Sequence, residues 1–162
     1  MCSSDLEIKV ETKKTPIAGE LTEEQKQEET FSIDCKDMIF LVVEDNNINQ
    51  LVAQNMLEQF GALVEFADDG QKGVEIFLSD PLRFTAIFMD IQMPHMDGYE
   101  ATSMIRGSNI PQAASIPIIA MTANAFTEDV EKAFSVGMNA HIKKPLDAEQ
   151  IAKVIKEVLI EP

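Results

Sequence analysis

From Met38 onward, short runs of consecutive apolar residues alternate with stretches in which apolar positions recur every three to four residues. Ile39–Val43 is apolar throughout, the pattern of a strand covered on both faces. From Asn47 to Phe60, residues Ile48, Leu51, Val52, Met56 and Phe60 fall along one helical face, and Gly61 ends the helix. Leu63–Ala67 predicts a second strand. Asp69 caps a helix that runs through Val74, Ile76 and Phe77 to Ser79, before Asp80 and Pro81 break the chain. Residues 85–89 predict a third strand and Gly98–Arg106 a third helix. The segment 107–115, with Gly, Ser, Asn and Pro, reads as a loop. Residues 117–121 form the fourth strand, with proline at its start, where a lost ladder donor is tolerable. Thr127 begins a helix with Val130, Ala133 and Phe134, closed by Gly137. Residues 140–142 are a short last strand, and Asp147 caps a terminal helix with Ile151, Val154, Ile155 and Val158 inward. Five strands alternating with five helices predict an α/β fold, a (βα)5 doubly wound five-stranded parallel sheet.

The rest of the chain reads differently. Residues 1–37 are polar, with Glu20, Glu23, Glu24, Glu28 and Glu29, and predict an acidic, flexible linker, transiently helical over 21–29 with Thr22 as cap. The first six residues resemble a translated sequencing adapter as much as a natural start, and they are set aside from the fold. The folded domain is expected over 38–162.

Composition narrows the function. The net charge is −15 over 162 residues, with ten acids against five bases in 1–37 and eighteen against eight in 38–162. Both parts are acidic, which argues against direct contact with nucleic acid or an anionic membrane surface. The longest apolar stretches fall well short of the roughly 20 residues that span a bilayer, and the N-terminus has no apolar signal core. Cys2 and Cys35 lie far apart with no His or Cys spacing around them, so neither a disulfide framework nor a zinc site is expected. Reducing, cytoplasmic conditions fit best.

The candidate chemistry sits at the strand ends. Glu44 and Asp45 follow the first strand, Asp90 the third, Thr122 the fourth, and Lys144-Pro145 the fifth. In an open parallel sheet the carboxyl ends of the strands share one edge, where ligands bind. Three carboxylates, a hydroxyl and an ammonium would converge there from about a hundred residues of sequence. Paired carboxylates repel each other in a low-dielectric crevice, and a hard dication removes that penalty. An aspartate can act as a nucleophile through an aspartyl-phosphate, with Thr122 and Lys144 holding phosphoryl oxygens. Each residue also has a plainer reading. The Glu44-Asp45 pair could simply favour a helix start, Asp90 could form a turn, Thr122 could end a strand, and Lys143 or Lys144 could be solvated.

The segments Val43-Glu44-Asp45-Asn46-Asn47, Met89-Asp90-Ile91-Gln92-Met93-Pro94-His95-Met96-Asp97-Gly98, Ala120-Met121-Thr122-Ala123-Asn124-Ala125 and Lys143-Lys144-Pro145 together resemble a response-regulator receiver domain, with a flavodoxin-like fold. Gly137-Met138-Asn139-Ala140-His141 and the asparagine-rich start of the first helix resemble receivers of hybrid sensor histidine kinases. The resemblance implies that Asp90 is the phosphoacceptor, taking a phosphoryl group from a phosphohistidine on a histidine kinase dimerisation bundle or a histidine phosphotransfer domain. It implies Mg²⁺ bound by Glu44, Asp45, Asp90 and the backbone carbonyl of Gln92, with Thr122 and Lys144 on the phosphoryl oxygens. His141 falls where the family usually has a switching Tyr or Phe. Gln92 and Asn124 match positions that tune loss of the phosphoryl group to water. The first helix, with the loops around Asp90 and Pro145, would be the docking surface for the donor.

Three other classes compete. An aspartate-nucleophile phosphatase of the haloacid dehalogenase kind needs a second Asp two residues after the nucleophile, where this chain has Gln92. A binding module with a receiver fold but no phosphorylation would not need the full set Glu44, Asp45, Asp90, Thr122 and Lys144. An FMN binder would want a hydroxyl-rich phosphate loop after the first strand, and Glu44 and Asp45 would repel that phosphate.

Overall fold

The computed structural model describes residues 33–160. In chain order the elements are β1 (Ile39–Val43), α1 (Asn47–Gln59), β2 (Leu63–Ala67), α2 (Gly70–Ser79), β3 (Ala86–Asp90), α3 (Gly98–Arg106), α4 (Pro111–Ser115), β4 (Ile118–Thr122), α5 (Thr127–Val136), β5 (Ala140–Lys143) and α6 (Ala148–Ile155). A single π-helical turn, Lys156–Ile160, continues α6. All strand pairs are parallel, in the order β2-β1-β3-β4-β5. After β1 the chain turns outward to β2, then crosses back to β3 on the other side. The crevice beyond the carboxyl ends of β1 and β3 is therefore the switch point at which such sheets bind ligands.

The apolar runs alternate between two buried layers, as a period of two requires. Leu41, Val43, Ile87, Met89, Ile118 and Ala120 face a layer that includes Val74 and Phe77 of α2, Ile105 of α3 and Ala133 of α5. Phe40, Val42, Phe88, Ile119, Met121 and Ile142 face Ala53 and Leu57 of α1 and Ile151 and Ile155 of α6. Phe40 and Phe88 meet edge to face at 5.4 Å. Burial on both sides explains why β1, β3 and β4 read as unbroken apolar runs. Four of the helix starts, those of α1, α2, α3 and α6, are fixed by side-chain caps. Asn46 accepts from the N–H groups of Ile48 and Asn49, and Asp69, Asp97 and Asp147 cap α2, α3 and α6 in the same manner.

Several expectations need correction. The buried face of α1 is built on Ala53 and Leu57, with Phe60 just beyond the helix, whereas Ile48 and Leu51 are 70% and 57% exposed. The helix has apolar residues on more than one side, and packing on the sheet selects the side with the small Ala53. Residues 111–115, expected to be loop, form the short helix α4, because Pro111 opens a helix without losing a hydrogen bond and Ala113 is buried beneath it. Of the apolar residues on the helix that starts at Thr127, Ala133 is buried and Phe134 is half exposed. The third, fourth and fifth strands run one residue further than expected, so Asp90, Thr122 and Lys143 are strand residues. Cys35, on the linker side of the expected boundary, is buried, and its N–H donates to Phe60 O at 2.7 Å. The expected helix over 21–29 lies outside the described residues. No helix among the described residues is long and apolar enough to cross a membrane.

Candidate active site

Glu44 leaves β1 with its N–H bonded to Ala67 O of β2, which turns its side chain into the crevice. Only 1% of it is exposed. Its Oε1 accepts the Asn46 N–H at 3.2 Å, and its Oε2 lies 2.9 Å from Lys144 Nζ. Asp45, one residue on, is exposed. Asp90 ends β3 and is 2% exposed. Its Oδ1 lies 3.1 Å from the same Lys144 Nζ and accepts the Gln92 N–H at 3.2 Å. Carboxylate oxygens of Glu44, Asp45 and Asp90 lie within 4.8 Å of one another.

Thr122 ends β4, buried. Its hydroxyl donates to Asn124 O at 2.6 Å and accepts the Asn124 N–H at 3.0 Å. Lys144 follows β5, with its own N–H bonded to Thr122 O at 2.7 Å and a cis bond to Pro145. The ammonium and the threonine are thus joined through backbone. The β3–α3 loop returns against the end of β3 at Gly98, where a Cβ would collide with the Asp90 carbonyl oxygen and stand 2.9 Å from Ile91 Cα. Only glycine lets the helix start so close to the strand end.

The charges are unbalanced: one ammonium serves two buried carboxylates. For Asp90, burial and the neighbouring charge of Glu44 outweigh the attraction of Lys144 and push its carboxyl up to about 7. Burial also works against Glu44, but its bonds to Lys144 and to the Asn46 N–H prevail and hold it below the ordinary carboxylate value. Lys144 loses hydration on burial, yet the two carboxylates raise it above the usual lysine value. A cluster of hard oxygen donors with excess negative charge fits Mg²⁺, which takes one or two carboxylates plus waters and phosphate oxygens.

Glu44, Asp45, Asp90 and Lys144 are thus in one cluster, and Thr122 adjoins it through the Lys144 backbone. Gln92 and Asn124 have exposed side chains on the two loops that flank the crevice. His141 stands apart. It pairs with Ala120 in the β4–β5 register, half-buried, with its ring edge-on to Phe134 at 6.4 Å. It lines a groove of about 360 Å³ between α5, β5 and α6 with Asn139, Gln150 and Val154. Sequence reasoning passed over two residues that hold the acidic turn. Asn46 was legible as the polar residue just before α1. Gln50 gave no signal, since a glutamine in a helix reads as ordinary surface.

The profile of response regulator receiver domains matches residues 40–156. The chain belongs to the response-regulator receiver family. The receiver is 40% identical over 152 residues to a probable histidine kinase 2 of Oryza sativa subsp. indica, covering 86% of this chain and 14% of that protein's length. It is 36% identical, with a TM-score of 0.67, to the receiver domain of a sensor histidine kinase from Pseudomonas aeruginosa, over 75% of this chain and 96% of that one. The Pseudomonas receiver has a magnesium ion coordinated in its active-site cleft. A third similar structure is a Saccharomyces cerevisiae response-regulator receiver in complex with a histidine phosphotransfer protein, at 31% identity and a TM-score of 0.66, covering 76% of this chain and 93% of that one.

Proposed function

We propose that this receiver takes a phosphoryl group from a phosphohistidine onto the Asp90 carboxylate and passes the change to its α5–β5 surface. The observation that supports this best is the convergence of Glu44, Asp45, Asp90 and Lys144 at the β1/β3 switch point, with Asp90 held by Lys144 and the Gln92 N–H. An Asp90 oxygen attacks phosphorus. The O–P bond forms as the P–N bond to the donor imidazole breaks, and the bonding pair returns to that nitrogen, which takes a proton from solvent. Lys144 binds a phosphoryl oxygen in place of a carboxylate. Thr122 releases Asn124 O and donates to a second phosphoryl oxygen. Glu44, Asp45, Asp90 and the backbone carbonyl of Gln92 are the groups that would hold Mg²⁺, which when bound neutralises charge on the phosphoryl oxygens.

Two flanking side chains regulate reversal. Gln92 and Asn124, exposed at the mouth of the crevice, set how readily water reaches the acyl phosphate. His141 is the switch residue: it shares a sheet face with Ala120 and Thr122, and the small Ala120 leaves room for its ring when Thr122 moves toward the phosphoryl group.

The donor is a histidine phosphotransfer domain or the dimerisation bundle of a histidine kinase, docked on α1 and the loops around Asp90 and Pro145. The exposed Ile48 and Leu51 beside Asp45 supply the apolar contact, and the yeast phosphotransfer complex supports this choice. The plant relatives, which are histidine kinases, support an origin in a hybrid histidine kinase, with the receiver working on the cytoplasmic side.

Intact-mass measurement after incubation with Mg²⁺ and acetyl phosphate, or with a phosphorylated histidine domain, tests the reading. The gain of one phosphoryl group, lost in Asp90→Asn and with EDTA, is the expected result. No gain from either donor would leave a module that binds partners without phosphorylation.

A further inference from the structure

The Asp45 carboxylate is an outlier within the acidic cluster. Glu44 is fixed by Lys144 and the Asn46 N–H, and Asp90 by Lys144 and the Gln92 N–H. No hydrogen bond or ion pair from another described residue holds the Asp45 side chain, although its oxygen lies within 4.8 Å of the other two. Its direction must therefore come from the backbone that leads into it.

That backbone is held by Gln50. From the second turn of α1, Gln50 Nε2 donates to the Glu44 carbonyl oxygen at 2.8 Å and to Asp68 Oδ1 at 3.1 Å. The Glu44 carbonyl belongs to the peptide unit joining Glu44 to Asp45, so the amide fixes the plane from which Asp45 departs. Asp68 belongs to the β2–α2 loop and lies beside Lys72 at 3.5 Å. Gln50 thus ties the acidic turn to the neighbouring strand's loop as well as to its own helix. Both bonds come from one nitrogen, so the amide cannot turn without losing one of them.

We propose that Gln50 is a positioning residue that orients the Glu44-Asp45 turn and so sets the affinity of the acidic cluster for Mg²⁺; this rests on the metal-dependent reading above. Groups that orient metal ligands from outside typically change metal affinity by about 10- to 100-fold when removed. Gln50 acts through a peptide unit rather than on a ligand atom, so the lower end of that range, about tenfold, is expected.

The test is calorimetric titration of the whole chain with magnesium chloride at pH 8, beside thermal melts in EDTA. Gln50→Met keeps the length of the side chain and removes the donor, and Gln50→Leu repeats the removal with a different shape. Gln54→Leu, one turn on, is the control, because Gln54 bonds to Glu58 and not to the turn. The expected result is Mg²⁺ binding about tenfold weaker in both Gln50 variants, unchanged in Gln54→Leu, with melting in EDTA within about 2 °C of wild type, a shift worth under 1 kcal/mol. Wild-type-like affinity in Gln50→Met and Gln50→Leu would overturn the positioning role while leaving the metal site standing. So would an equal loss in Gln54→Leu. If wild type itself binds no Mg²⁺, the metal site falls and this inference falls with it.

Discussion

Replacing Asp90 with Asn should make the metal-free receiver more stable, and by an amount that depends on pH. Asn keeps the shape of the side chain and an oxygen to accept the Gln92 N–H, but it removes a buried charge placed against Glu44. The strain in wild type is visible in the proton affinity of the carboxyl, raised from 3.8 to about 7 by burial and by Glu44, with Lys144 offsetting part of it. Each unit corresponds to about 1.4 kcal/mol between the two protonation states, so the ionised form is disfavoured by at most about 4 kcal/mol. Relaxation and water entry reduce that ceiling, and the working expectation is about 1–3 kcal/mol.

The pH dependence gives the prediction its sign. Because the folded value lies above the unfolded one, the stability this group contributes is intact below about pH 4 and is lost as pH rises through about 7. In EDTA the melting temperatures of wild type and Asp90→Asn should lie close together near pH 4. They should then separate until the variant melts about 4–12 °C higher at pH 8, at roughly 4 °C per kcal/mol for a domain of this size. Added Mg²⁺ should raise wild type more than the variant, because it relieves the repulsion that the variant lacks. Calorimetric or fluorescence melts across pH 4–8 with and without Mg²⁺ measure all of this. A variant less stable than wild type at pH 8 in EDTA, or an advantage that does not change with pH, would refute the account of the buried charges.

Two further outcomes follow from the same structure. Lys144→Met removes the ammonium shared by Glu44 and Asp90 and should destabilise the metal-free domain at pH 8 by about 2 kcal/mol, less than for a fully buried pair because Lys144 is partly exposed; melts at pH 5 should show a smaller loss, since Asp90 is then protonated. Cys35, buried and with its thiol pushed to about 11 by burial and by Asp34, should resist iodoacetamide at pH 8 in the native protein and react only as fast as the domain opens, which mass spectrometry under increasing urea can follow.

The parts of this molecule that were legible in the sequence are those fixed by burial or by local chemistry. β1, β3 and β4 are covered on both faces, so their apolar runs could hardly be anything but strands. Asp69, Asp147 and Gly137 mark helix ends through their own side chains or backbone preference. The carboxylates and Lys144 could be placed together because strand ends in a parallel sheet share an edge. What was not legible depended on choices made in three dimensions. α1 carries apolar residues on several sides, and the buried layer it shares with Val42 and Phe88 of the sheet decides that Ala53 and Leu57 face inward. Cys35 sits in a polar stretch, and its burial comes from a bond to Phe60 O, 25 residues later in sequence. Gln50 has no pattern around it, and its place in the site appears only once Glu44 O and Asp68 are both within reach.

The arrangement at Thr122 and Lys144 bears on how the proposed switch could be coupled to the site. Before phosphorylation the Thr122 hydroxyl is committed to the Asn124 backbone and the Lys144 ammonium to two carboxylates. An incoming phosphoryl group has to draw both away from partners they already hold, so neither moves without a stronger acceptor in place. Their backbones are bonded to each other, Lys144 N–H to Thr122 O, and His141 lies on the edge strand β5, three residues before Lys144. A shift of Thr122 toward the crevice therefore pulls on β5 directly, while Asn124, released, frees the loop that leads into α5. Both sides of the groove lined by Phe134 and His141 would respond to one local event. A site that began with idle hydroxyl and ammonium groups would have no such threshold, and thermal motion alone could then produce the shifted state.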